Sequence, residues 1–495
     1  MLRTPTKFLL PILALSLASC GDDNPGETHI ALIDERAELT DPATGRADRG
    51  DEYLLGALAQ GLVRFDARGQ IEGALAERWH VSDDGRSYIF RLASGSWPDG
   101  EPIEADDVAR ALRRQIAARR NPLHDTMGVV EDVVAMTDRV IELRLSSPRP
   151  DLLSLLAQPE MAILKGEVGA GPFLLSEADD DANALHLSRL VPNRRTDEMR
   201  EEMLHLTAAS AQRAVGLFSA GSVELVLGGT FTDLPLARGA DLSRGELRFD
   251  PVLGLFGLLP RREKGPLADP SIRSILSRAI DREAFLADLA VPGLVPRARI
   301  LQAGLDIEQA AQPPAWLELP LTERQDMLAR NLRSLVDDDA QSEGGPVLQV
   351  ALHLPDGPGG DMLFNRLSTD WGRIGVEARR VEDRADADFT LIDQVAPSRS
   401  GEWFIRFFRC GSVRLCSKDA DALMDDARAA PTVEERHDLL TRAAMMLDEA
   451  ELFIPIAAPV RWALVGPYVT GFSPNSLARH PLMGLKGPLS PENAP

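Results

Sequence analysis

Between residues 61 and 116 the hydrophobic and polar positions fall into short, sharply bounded blocks. Leu62-Val63-Arg64-Phe65 is a β-prone run, and Asp66 to Gly69 supplies turn residues. Trp79-His80-Val81 and Tyr88-Ile89-Phe90-Arg91-Leu92 flank Asp83-Asp84-Gly85, a hairpin signal because glycine adopts positive φ cheaply. Trp97-Pro98-Asp99-Gly100 is a second turn. Asp106 and Asp107 follow in the first turn of a predicted helix, where negative charge suits the helix dipole. Val108, Leu112 and Ile116 then recur at i, i+4 spacing and form a core-facing stripe.

The same reading carries along the chain. Thr28 to Ile33 is a predicted first strand. Val129 to Leu145 reads as two strands turning at Thr137-Asp138, and a helix begins between Pro148 and Leu156. Ala211 to Phe218 reads as helical, and Leu225-Val226-Leu227 leads into a further strand. Asp269 is an N-cap with Pro270 at N1, and Ile272, Ile275, Leu276 and Ala279 line one face. Asp281 caps a second helix, with Ile280 and Phe285 placed as a hydrophobic staple. Thr322 to Leu335 and Asp361 to Ile374 are predicted helices. Leu348, Val350, Leu352 and Leu354 alternate as one strand face. Thr432 and Glu435 form a capping box before Leu439, Leu440, Ala443, Met446 and Leu447.

Several of these blocks carry more than local structure. The order from Gly61 to Val108 is a Gly-Leu-Val-x-aromatic-Asp strand, an Ala-Leu-Ala-Glu-x-Trp hairpin and an Asp-Gly-x-Pro loop leading into a helix. It resembles the N-terminal signature of the extracytoplasmic solute-binding proteins of ABC transporters, family 5, the peptide, nickel and oligosaccharide class. Gly169 to Leu175, Ser271 to Phe285 with its Ala-Ile-Asp-Arg core, Gly375-Val376 and Ile454-Pro455-Ile456 resemble further motifs of that family. Asp41-Pro42 matches its turn after the first strand, with Thr40 where the family has leucine. Asn193-Arg194 keeps only part of another motif.

The resemblance implies an α/β, two-lobed periplasmic binding protein fold, type II and cluster C-like, with an extra N-terminal subdomain and a ligand cleft between the lobes. The implied divisions are a signal peptide at 1–19, a tether at 20–27 and a discontinuous lobe I at 28–52, 170–248 and 456–495. Subdomain II spans 53–169 and lobe III 249–455. The implied function is capture of a peptide-like or other small solute and its delivery to ABC permease subunits by a monomer. Rivals are an importer-independent sensor or chaperone of the same fold, and a secreted hydrolase.

The leader sharpens the address. Arg3 and Lys7 precede an apolar run from Phe8 to Ala18, which has the length of a secretory signal and is too short to span a bilayer. Leu17-Ala18-Ser19-Cys20 resembles a bacterial lipobox. This implies lipidation of Cys20 and a periplasmic protein held to a membrane only by that anchor. An ordinary signal peptide cut near Ser19 is the alternative. The formal charge of −22 excludes a nucleic-acid partner, which would require a basic face.

Of three cysteines, Cys410 and Cys416 remain. Outside the cytoplasm they suit a disulfide, with two free thiols or a metal site as alternatives. Catalytic signatures are missing: no G-x-S-x-G elbow, H-E-x-x-H or P-loop is present. The 8 histidines include no i, i+4 pair, so neither a metal nor a cofactor is expected. Asp179 to Asp181 and Asp383 to Asp388 read as solvated loops.

The resemblance places the cleft at the loop after strand one, the hinge strands and the distal lobe. Candidate contacts are Arg36, Glu38, Thr230, Phe231, Gln394, Arg399, Trp403 and Arg406. Peptide binders of the family hold the ligand's amine with an acidic stretch that is Ser398-Arg399-Ser400 here. Arg399, Arg406 and Arg409 beside Trp403, Phe404, Phe407 and Phe408 suit an acidic ligand group. The helical spacing of those aromatics equally suits a core.

Overall fold

The computed structural model of the protein describes residues 27–45, 47–176, 183–192, 198–307, 313–336, 345–430 and 432–486. The leader, Cys20, Asp179 to Asp181 and Asn193-Arg194 lie outside the described residues. Among the described residues no helix is long and apolar enough to cross a membrane.

Two large sheets and one small one organise the chain. The largest has seven strands, in the order Leu174–Leu175, Ala184–Pro192, Met199–Ala209, Glu27–Ile33, Leu225–Thr230, Arg461–Val465, Leu247–Phe249. Glu27–Ile33 runs parallel to both neighbours, and the remaining pairs are antiparallel. Ile30, Leu32, Leu204, Leu206, Leu225 and Leu227 bury one face under the Arg49–Leu58 helix. Ala31, Ala209 and Val226 pack on the other, against the Ala211–Ser219 helix.

The second sheet is ordered Val376–Arg380, Leu348–His353, Phe389–Val395, Gly254–Pro260, Ile454–Ala457. Helices cover both of its faces. Leu255 and Leu259 pack with the Gly401–Arg406 and Val433–Glu449 side, while Phe256 and Leu258 pack with Pro270–Ala279 and Pro358–Gly372. Gly254–Pro260 is therefore buried at every position and reads as an unbroken apolar run rather than an alternating one. The chain leaves this sheet after Ala457 and rejoins the first at Arg461. One core is continuous through both sheets, with Phe231 and Phe256 edge to face at 4.8 Å.

The third sheet is antiparallel, ordered Ala76–Val81, Ser87–Leu92, Val140–Leu145, Val130–Thr137. Its first hairpin turns at Gly85 with φ +66, where Ser82 Oγ donates to Asp84 and the Gly85 N–H donates to the Ser82 carbonyl. The Ala105–Ala117 helix buries Val108 and Leu112 completely on this sheet. Each such side chain contributes about 1.5–3 kcal/mol of transfer energy. The side chains of Asp269, Asp281 and Thr432 cap their helices by accepting from the backbone N–H groups of Ser271, Ala284 and Glu435. The helix of the Pro148–Leu156 segment runs Leu152–Leu156 with Asp151 as its N-cap, just after Pro150, whose ring disfavours helical geometry at Arg149.

Candidate functional site

Where the seven-stranded sheet, the small subdomain and the five-stranded sheet meet, they enclose a cavity of about 910 Å³. Its size is that of a small-molecule or short-peptide site. Arg49 and Glu52 reach it from the first turn of the Arg49–Leu58 helix. That helix start is fixed by Asp51, whose carboxylate accepts from the Glu38 N–H at 2.8 Å and from Thr40 Oγ1 at 2.7 Å. The loop after strand one is thus held by its backbone, and the Arg36 and Glu38 side chains point outward. They pair with each other at 3.1 Å, are largely exposed, and do not line the cavity.

The floor is made by two strands of different sheets. Arg461 Nη1 lies 2.8 and 3.1 Å from the two Asp393 carboxylate oxygens. Beside them, Trp462 donates from Nε1 to the Thr230 carbonyl at 2.7 Å. Its ring lies so close to Gly229 that a Cβ there would sit 2.2 Å from the indole. Thr230 is buried, with its hydroxyl donating to Asp233 at 3.2 Å, and Phe231 is buried in the interlobe core. Burial pushes the Asp233 carboxyl above its ordinary range.

Arg49 differs from its neighbours. Its Nη1 donates to the Gly228 carbonyl at 2.9 Å, and among the described residues no carboxylate lies in ion-pair contact with it. Enclosure by the cleft walls, then the Arg461 guanidinium, lower its pKa from the ordinary arginine value. Asp393, Glu52 and Asp233 act against this from a distance. A cation in that position is favourable ground for an anionic group.

The far wall holds Arg479, which ion-pairs with Glu52 and lies 3.6 Å from Glu160. Burial raises the Glu52 carboxyl and Arg479 opposes that rise. Burial likewise raises the Tyr53 hydroxyl above its ordinary range. His480 Nε2 contacts Asp250 at 3.0 Å and stacks on Phe472.

On the distal side, the Gly401–Arg406 helix and the residues after it divide the aromatic stripe. Trp403 and Phe407 line the cavity, while Phe404 and Phe408 are fully buried in the core behind it. Gln394 and Arg406 also line it. The three arginines of this region do not converge. Arg399 is exposed and absent from the lining, and Arg409 pairs with Asp425 at 2.8 Å. Arg406 donates to Glu402 at 3.2 Å and to the Asp125 carbonyl at 3.3 Å. Glu402 is buried and also accepts from Arg149 at 3.2 Å and Arg436 at 2.6 Å. With Ser398 donating to Asp151 at 2.7 Å and Gln158 donating to the Pro397 carbonyl at 2.9 Å, this network ties the small subdomain to the distal lobe. Cys410 and Cys416 form a disulfide in the connection to the Lys418–Ala429 helix.

Of the candidate contacts, Gln394, Trp403 and Arg406 line the cavity. Arg49, Asp393, Arg461 and Arg479 line it as well, from four separate stretches that carry no local signature.

Two lobes around a half-open, mixed-charge cavity define a solute-binding protein. Residues 70–380 match the family described as bacterial extracellular solute-binding proteins, family 5 middle. The chain belongs to this family, whose members bind solutes rather than catalyse reactions. It is 25% identical over 482 residues to a probable di/tripeptide-binding protein 5 of Pseudomonas aeruginosa, covering 84% of this chain and 88% of that protein. It is 24% identical over 469 residues to the probable deoxycholate-binding periplasmic protein YgiS of Escherichia coli, covering 84% and 85%. Its fold matches Haemophilus influenzae OppA in complex with RPPGFSPFR at a TM-score of 0.79 and 19% identity, over 94% of this chain and 99% of that one.

Proposed function

We propose that this protein captures a peptide-like or other small solute bearing an acidic group and delivers it to an ABC importer in the periplasm. Arg49 carries the ligand class: it is a guanidinium in the cavity wall beside a second one, Arg461, with no carboxylate among the described residues in ion-pair contact. Arginines also outnumber carboxylates around the cavity, although the chain as a whole is strongly acidic. A ligand carboxylate would be met by charge-assisted hydrogen bonds, shorter and stronger than neutral ones. Gln394, Trp403 and Arg406 are the further contacts, with Trp403 and Phe407 offering a flat apolar wall. The relatives' peptide ligands support the size class. Lipidation at Cys20 belongs to the same proposal, as the anchor that keeps the protein beside its permease.

Native mass spectrometry of protein purified from its own cells identifies the co-purified solute, and calorimetry then compares it with Arg49→Gln. The expected result is an acidic solute whose affinity falls at least tenfold in the variant. A cationic or neutral solute, or an affinity unchanged by the substitution, overturns the ligand class.

A further inference from the structure

The outward half of the first strand holds a cluster that the cleft does not use. In the parallel register of Glu27–Ile33 with Met199–Ala209, His29 stands opposite His205. In the antiparallel register of Ala184–Pro192 with the same strand, His186 stands opposite His205 from the other side. Three imidazoles therefore form a row across three adjacent strands. His29 and His205 stack with centroids 4.6 Å apart, and His186 meets His205 edge-on at 4.5 Å. Glu27, two residues before His29, lies on the same face because side chains alternate along a strand. Its Oε2 is 3.6 Å from His205 Nε2.

We propose that Glu27, His29 and His205 form a binding site for a divalent transition-metal ion of the zinc class, with His186 packed edge-on against His205. One ligand atom from each of the three lies within 4.8 Å of the others. A tetrahedral ion with bonds of about 2.0–2.1 Å requires donors roughly 3.4 Å apart. The Glu27–His205 pair, at 3.6 Å, is already near that spacing, and a His29 nitrogen lies within 4.8 Å of both. Imidazole nitrogens with one carboxylate oxygen select zinc, nickel or copper over calcium or magnesium, which prefer all-oxygen shells. The Glu27 and His205 side chains are 27% and 19% exposed, so an ion can enter yet is partly shielded from water. The backbone helps to fix the site: the His29 N–H donates to Glu224 at 2.6 Å.

This place is separate from the solute cleft. The other end of the strand, at Ile33, packs against Gly228 in the cavity wall. Six residue steps of about 3.3 Å put Glu27 roughly 20 Å away.

The test uses the untagged, chelator-treated full chain and ZnCl2 alone. Calorimetry and elemental analysis should show one saturable equivalent of zinc at pH 7.5. The His205→Ala variant should lose it, and Glu27→Gln should weaken it about tenfold, as removal of one ligand does. Zinc should raise the melting temperature of the wild type but not of His29→Gln, a milder change that covers the case in which His205→Ala fails to fold. No saturable uptake, or uptake unchanged in both histidine variants, overturns the site and leaves the row as packed imidazoles beside Glu27.

Discussion

Arg461 and Asp393 face each other across the cavity floor with Nη1–Oδ1 and Nη1–Oδ2 distances of 2.8 and 3.1 Å, one residue from each large sheet. The pair couples the lobes directly and neutralises one of two adjacent guanidiniums. Removing the carboxylate with Asp393→Ala leaves Arg461 and Arg49 facing each other with less compensation. Stability should fall by about 1–3 kcal/mol, the penalty for stranding a poorly solvated polar group. In a double-mutant cycle by urea denaturation, Arg461→Ala with Asp393→Ala should cost clearly less than the two singles summed. Strict additivity would contradict the coupling.

Glu402 is the carboxylate that Arg149, Arg406 and Arg436 share, although Arg149 also pairs with Asp151 at 2.8 Å. Glu402→Gln keeps the shape and removes the charge, so three guanidiniums lose their shared counter-ion. The contact between the small subdomain and the distal lobe should loosen, and small-angle scattering of the solute-free protein should show a larger radius of gyration. Solute affinity should weaken in parallel. An unchanged scattering profile would assign this network to packing alone.

Asp448 gives a signed pH dependence. Burial pushes its carboxyl from 3.8 up to about 7, against the Ile300 N–H at 3.0 Å and Arg299 at 3.6 Å. Between those values the folded chain keeps a proton that the unfolded chain has lost. This group's contribution to stability therefore declines as pH rises from about 4 to about 7, by an amount on the order of a few kcal/mol. Asp448→Asn should remove that slope and be more stable than wild type at pH 8, with little difference at pH 4. Parallel urea midpoints at the two pH values would refute it.

Gly229→Ala tests the cavity floor sterically. A methyl 2.2 Å from the Trp462 indole must displace the ring or the strand. The expected cost is about 1–3 kcal/mol, typical of overpacking. The tryptophan emission should shift as the bond from Nε1 to the Thr230 carbonyl is strained. Wild-type emission and melting would show that the strand gives way freely.

Local elements were readable because their causes are local. The Asp83-Asp84-Gly85 turn, the Asp269-Pro270 helix start and the Val108 and Leu112 stripe each specify a short segment without help from elsewhere. The cavity was readable only where one segment supplies several residues, as from Gln394 to Arg406. Even there, helical spacing does not say which face turns inward: Trp403 and Phe407 reached the cavity while Phe404 and Phe408 went to the core. Arg49, Asp393, Arg461 and Arg479 are neighbours only because strands from distant parts of the chain share a floor. His29, His186 and His205 likewise align through sheet register, which no i, i+4 search can detect.

The position of Arg461–Val465 governs the order in which the chain can be completed. This strand fills the slot between Leu225–Thr230 and Leu247–Phe249, and is nearly the last element made. Until it emerges, two strand edges of the seven-stranded sheet stay open, and the cleft lacks Arg461, Trp462 and Arg479. Vectorial synthesis, which usually lets N-terminal units fold first, cannot finish the first lobe early. The nascent protein therefore travels most of its length as an incompletely closed sheet, and its ability to bind arrives in one late step.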